Sequence, residues 1–326
     1  MSAKSASREA VDEQVHAFDP DVWSWNESWY FSWIDLDGGP AGFFRLGLIP
    51  NQGRAMLWCY VHRDGEWLGI DESRLRYDDF DLADGFGYDR WGLRFSWRPG
   101  TPAATFRLEG VARTVTGPDA GALTPLSVML AATPTTDRFG TGTGGDLGSD
   151  EYPANRFEQS LAVSGTLTAG GPARPVRAAG HRDRSWGPRN WRVAFTLGDL
   201  QGEHAQLYFV GAPQLGERGA GYLRDASGVR HLTCVGGAIE YDDTARTIAP
   251  ARVRFDAGDG APLDVELEPI SPSVSFDMAH TCEEPEHWLY WRILVEARVS
   301  GWGEPVRGWV EASRYGCGGA RPLSRT

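Results

Sequence analysis

The chain has 326 residues, 41% of them hydrophobic and 23% charged, with a formal net charge of -12. That length and apolar content support one large or two ordinary globular domains and exclude a disordered chain. The negative balance argues against nucleic acid as a partner, and no apolar run approaches the roughly 18 residues of a membrane-spanning helix. The polar start MSAKSASREAVDEQ lacks the apolar stretch of a signal peptide, so a cytoplasmic location is expected. Lys4 is the only lysine, which excludes lysine Schiff-base and P-loop chemistry. Cys59, Cys234, Cys282 and Cys317 show no CxxC pairing and are expected as small buried side chains without a disulfide framework.

In chain order, the first predicted element is a short helix, from Val11, Val15 and Phe18 spaced along one face. Almost everything after it alternates with period two. The acidic stretch 71–89 fails as a calcium loop, because counting from Asp79 puts Ala83, Asp84 and Arg90 at the fifth, sixth and twelfth positions. Leu93, Phe95 and Trp97 alternate with Arg94, Ser96 and Arg98, as in a half-buried antiparallel strand. The loop 133–153 is long and Gly-rich, and its Gly140, Gly142 and Gly145 have GxGxxG spacing. No helical pattern or βαβ unit surrounds them, so a dinucleotide site is not expected.

Residues 179–191, AGHRDRSWGPRNW, concentrate arginines and tryptophans. A strand over 178–186 sends Arg182, Arg184 and Trp186 to one side and His181, Asp183 and Ser185 to the other. An indole flanked by guanidinium groups suits a pocket wall that also binds an oxygen anion, and it equally suits an inter-strand ion cluster closing a barrel end. Further strands are expected over 191–197, 263–267 and 288–299. The last turns Leu289, Trp291, Ile293 and Val295 one way and Trp288, Tyr290, Arg292, Leu294 and Glu296 the other. Before it, His280, Cys282 and His287 have an H-x-C-x4-H spacing that matches no zinc-ligand motif, so no metal is expected. No nucleophile elbow and no catalytic Cys–His context is present.

With 41 Gly and 20 Pro separating short strands, the chain reads as all-β, a sandwich or barrel. Residues 29–68 laid on 191–230 match Trp29 with Trp191, Trp33 with Phe195 and Tyr60 with Tyr222. The hairpin turns HRDGEW and RDASGVR follow in each copy, so two similar β domains, 1–175 and 176–326, are expected; chance matching of aromatic-rich strands is the alternative.

RFEQSLAVSGTL at 156–167, GHRDRSWGPRNW at 180–191 and GWVEASR at 308–314 resemble the carotenoid hydratase (hydroxyneurosporene synthase) and AttH-like superfamily. The resemblance implies two consecutive lipocalin-like β domains and hydrophobic, unsaturated ligands. It also implies a His-x-Trp pair, where this chain has Arg184 and Trp186, and a Tyr-x-Asp pair, where it has Tyr208 and Val210. Arginine is not a proton donor near neutral pH.

The expected function is a cofactor-independent enzyme. It would enclose a terpenoid or polyketide-like molecule and catalyse hydration or dehydration, isomerisation or cyclisation. A non-catalytic lipid or terpenoid carrier is the alternative, and composition does not separate the two. In this scheme Trp29, Trp186, Trp191, Tyr208, Tyr222, Trp288 and Tyr290 bind substrate, Arg184 and Arg189 hold a substrate oxygen, Asp183 orients the arginines, and Glu27 and Glu311 are the candidate proton donors. No cofactor is expected, and the oligomeric state is left open.

Overall fold

The computed structural model describes residues 13–83, 85–90, 92–98, 104–138, 155–189, 195–211, 220–225, 227–239, 241–242, 247–258, 262–276 and 288–315. They are overwhelmingly strand, in two compact units, Met1–Asn190 and Trp191–Thr326. The division falls after the strand Arg174–Pro188 and not inside it, as the expected boundary at 175/176 would have required. No helix among the described residues is long and apolar enough to cross a membrane.

The first unit holds β1 (Trp25–Asp35), β2 (Ala41–Ile49), β3 (Arg54–Arg63), β4 (Glu66–Arg76), β5 (Phe86–Arg90), β6 (Leu93–Arg98), β7 (Ala104–Thr114), β8 (Leu123–Pro134), β9 (Asn155–Ala169) and β10 (Arg174–Pro188). They form one antiparallel sheet in the order β4-β3-β2-β1-β10-β9-β8-β7-β6-β5, and a β4–β7 pairing closes eight of them into a barrel. Closure removes the open edges that would otherwise pair with other chains. The barrel is filled by alternate side chains, among them Trp29, Phe31, Trp33, Phe44, Trp97 and Phe106. The β3–β4 turn places Asp64 and Gly65 at positive φ, 50° and 85°, the geometry in which a two-residue hairpin matches strand twist.

The second unit holds β11 (Phe195–Gln201), β12 (Gln206–Gly211), β13 (Ala220–Asp225), β14 (Gly228–Ala238), β15 (Tyr241–Asp242), β16 (Thr247–Ile248), β17 (Ala251–Asp256), β18 (Leu263–Pro269), β19 (Val274–Ser275), β20 (Trp288–Val299) and β21 (Val306–Tyr315). Its main sheet runs β18-β17-β14-β13-β12-β11-β21-β20-β19, with β18 also paired to β20. The connectivity matches the first unit: four strands in a meander, a small hairpin, then strands that return so that the last pairs with the first. The turn pairs Arg63↔Glu66 and Asp225↔Gly228 coincide at the shift of the Tyr60–Tyr222 match. Tracing the register from those tyrosines to β1 and β11 sets Ser32 against Asp199, so Trp33 does not correspond to Phe195. Trp191 lies outside the described residues. Intervening connections of unequal length break a single shift.

The helix expected near the start is not present over 13–19, and Val11 lies outside the described residues. Val15 packs on the first barrel's core while Phe18 is exposed, so the apolar residues share no face. The Gln14 carbonyl and the His16 N–H, which a helix would pair internally, bond instead to Arg184 and Glu27.

Candidate functional site

Strand alternation decides which side chains meet. On the core side of β1 and β10, the register sets Trp29 opposite Arg184 and Glu27 opposite Trp186. Arg184 is 1% exposed, ion-paired with the fully buried Glu27. Its Nη1 donates to the carbonyls of Ser28 (3.3 Å) and Ser185 (2.8 Å), and its Nη2 to that of Gln14 (2.8 Å). His16 Nδ1 lies 3.2 Å from Arg184 Nη2 and 3.3 Å from Glu27 Oε2, and the His16 ring stacks on Trp186 at 4.2 Å. The guanidinium sits 3.9 Å over Trp29. Burial pulls the Arg184 pKa below its usual range, and the Glu27 charge opposes that pull. A buried pair of this kind is held by further hydrogen bonds, here those of both Nη atoms, whereas Arg184 Nε is buried without a hydrogen-bond partner among the described residues.

Asp183 points away from that group. It pairs with Arg156 Nη2 at 3.0 Å, so it orients Arg156 and not Arg184. Arg156 also holds Glu158, whose other oxygen lies 2.7 Å from His181 Nε2. All four line the face of β9 and β10 turned away from the hydrophobic core. Arg189 follows β10, half-buried, its backbone N–H bonded to the Ser24 carbonyl at 3.0 Å.

In the second unit the face opposite the core carries Glu311, Tyr290, Tyr208 and Tyr222, all buried. One register row crosses five strands as Tyr222, Tyr208, Asp199, Trp309 and Leu294, and the next contains Val210, Leu197, Glu311 and Arg292. The Tyr290 hydroxyl donates to Glu311 Oε1 at 2.5 Å, and Arg292 Nη2 pairs with Glu311 Oε2. Phe276 and Phe195 pack on the Tyr290 ring at 5.0 and 5.9 Å, and Tyr208 stacks on Tyr222 at 5.3 Å. Asp199 stands across from Tyr208 on the neighbouring strand, its Oδ1 accepting from Gln206 at 3.0 Å and from Gln201. The side chain of Trp288, at the start of β20, lies outside the described residues.

Glu27, Trp29, Arg184 and Trp186 are thus together in one unit, and Glu311, Tyr290, Tyr208 and Tyr222 share a face in the other. Sequence reasoning missed His16, Glu158, Arg156, Asp199 and the pairing role of Arg292. Only the alternation of β20 and β21 carried a signal for the last. Among the described residues no group of three or more His, Cys, Asp or Glu is placed to hold a metal ion; His280, Cys282 and His287 lie outside them.

The same strand order and register relate the two units, so position 183 corresponds to 311, 158 to 292, 156 to 290 and 184 to 312. Two of the three acids singled out from sequence, Asp183 and Glu311, are structural counterparts.

Among solved structures, a protein assigned as AttH in Nitrosomonas europaea superposes with a TM-score of 0.58 at 17% identity, covering 93% of this chain and 98% of its own. CghA superposes with a TM-score of 0.52 at 12% identity, covering 94% and 95%. CghA with Sch210972 gives 0.52 at 11% identity, covering 91% and 90%. No curated protein matches the sequence. At these identities the likeness is one of fold, and it agrees with the all-β fold that the resemblance of the sequence motifs implies. Residues 9–308 match the family described as Domain of unknown function (DUF7064), and the chain belongs to that family.

Proposed function

We propose that this protein is an enzyme that binds a hydrophobic, unsaturated small molecule and moves a proton on it, in a hydration or dehydration, an isomerisation or a ring closure. The observation that carries this reading is the buried Tyr290–Glu311–Arg292 group, set on an aromatic face that is not part of the hydrophobic core. Arg292 offsets the Glu311 charge, and the phenol contributes an O–H. A phenol, with an ordinary pKa of about 10, is too weak an acid for an isolated alkene. It is suited to an oxygen conjugated with the double bond, where negative charge grows as an enolate forms. The substrate class is therefore a terpenoid or polyketide-like enone. In the hydration case water adds its oxygen to the β carbon and loses a proton to Glu311 while the carbonyl oxygen takes the phenol proton of Tyr290; the enol then returns that proton to Tyr290 as its α carbon takes the proton held by Glu311. The fold shared with CghA, a structure of which contains Sch210972, supports a small organic ligand.

Tyr208, Tyr222 and Trp309 serve as walls in this reading. Glu27, Arg184, Trp29 and Trp186 hold Gln14 and His16 in the first barrel, since the Arg184 Nη donors already have acceptors. The test is incubation of the purified protein with a panel of terpenoid and polyketide enones, read by liquid chromatography and mass spectrometry. A product heavier or lighter by one water, or an isomer with a new retention time, is expected, and Tyr290→Phe lowers its rate by about 10²-fold or more. Tight binding of an enone that is never transformed would instead identify a carrier.

A further inference from the structure

The start of the described chain places a carboxylate between two arginines inside the first unit. Glu13 Oε1 lies 2.5 Å from Arg138 Nη2 and 2.8 Å from Arg182 Nη1. Both guanidinium groups lie over the ring of the buried Phe157, at 4.2 and 5.3 Å. Arg182 is fixed from behind, its Nε and Nη2 donating to Gln159 Oε1 at 2.9 and 2.6 Å, and Gln159 is itself held by the Thr136 carbonyl at 2.8 Å. The positioning group is an uncharged amide, so it orients the guanidinium without neutralising it, and the full charge is left for whatever approaches Nη1. Glu13 meets that demand with one oxygen only. Its Oε2 is buried and has no hydrogen-bond partner. A carboxylate bound through a single oxygen beside two guanidinium forks is an incomplete occupant, because a fork pairs best with both oxygens.

We propose that Arg138 and Arg182, over Phe157, form a carboxylate-binding site for an amphiphilic acid, and that Glu13 occupies it as an internal stand-in which such a ligand displaces. The apolar ring beneath the arginines accepts the first methylenes of the ligand's chain while the guanidinium groups take both carboxylate oxygens. Only the Glu13 side chain has to leave, because the following residues are anchored separately through Gln14 and His16. The site needs no turnover and stands or falls apart from the enzymatic reading.

The experiment is calorimetric titration of decanoate, and of decanol as the uncharged probe, into the full-length protein and its variants. Glu13→Gln is expected to bind decanoate about tenfold more tightly than the wild type while decanol affinity is unchanged. Glu13→Ala should repeat the gain, and adding Arg138→Met to Glu13→Gln should abolish it, with circular dichroism showing that each variant is folded. Equal decanoate affinity in the wild type and both Glu13 variants, or a gain that survives Arg138→Met, or a decanol response as large as that of decanoate, would overturn the assignment.

Discussion

Strands β9–β10 and β20–β21 complete their barrels in the same way, yet the faces they turn away from the cores carry different charge arithmetic. Asp183 and Glu311 are counterparts. Beside the first stand Glu158 and Arg156, so one guanidinium serves two carboxylates and His181 is the remaining basic group. Beside the second stand Arg292 and Tyr290, so one guanidinium meets one carboxylate, which also accepts the phenol O–H. The core sides differ as well: Arg184 in the first unit corresponds to Ala312 in the second, which packs in the hydrophobic cluster. Equal backbone geometry therefore does not fix chemistry; with Tyr290 where the first unit has Arg156 and Arg292 where it has Glu158, matching register positions carry a carboxylate held by one guanidinium and one phenol in place of a network of two carboxylates, an arginine and a histidine.

The interior difference gives the largest expected effect. Arg184→Ala, which copies the second unit's residue, leaves Glu27 buried without its cation and should cost about 3–5 kcal/mol, seen as a lower urea midpoint of tryptophan fluorescence. Adding Glu27→Leu should recover most of the loss; a stable Arg184→Ala protein would mean that the pair does not hold the barrel end. The outer faces should separate by activity. Glu311→Gln should lower turnover of a reactive enone about 10²-fold or more, whereas Asp183→Asn stays within about tenfold, and equal losses would dissolve the distinction between the units. Where the units agree, so should their responses. A Cβ at Gly42 would overlap the Trp33 ring and one at Gly198 the Phe209 ring, in both cases across the first hairpin, so each Gly→Ala change should cost about 1–3 kcal/mol in thermal or urea unfolding.

The smallest effect concerns the thiols. Burial pushes Cys59 up from 9.0 to about 12, so the neutral thiol is favoured in the folded state. The linked stability is full below pH 9 and declines as the pH climbs toward 12, and Cys59→Ala should flatten that part of the urea-midpoint profile. Iodoacetamide at pH 8, followed by peptide mass mapping, should label the half-buried Cys234 before Cys59.

The amino-acid sequence by itself determined the class of the fold and the faces of its strands. Period-two alternation set Arg182, Arg184 and Trp186 apart from His181 and Asp183, and set Tyr290 and Arg292 apart from Trp291 and Ile293, because a pleated backbone sends neighbouring side chains to opposite sides whatever it packs against. Glycine-bearing turns marked the hairpins that proved equivalent in the two units. Alternation did not show that β1 and β2 are buried on both faces. Only the tertiary structure decided who meets whom: Glu13 with Arg138 and Arg182, Gln14 and His16 with Arg184, Asp183 with Arg156, and Tyr290 with Glu311. It also left the expected helix unformed over residues 13–19. Those contacts depend on sheet order and on the register between strands distant in the chain, which connection lengths and barrel closure impose and which no local pattern of residues records.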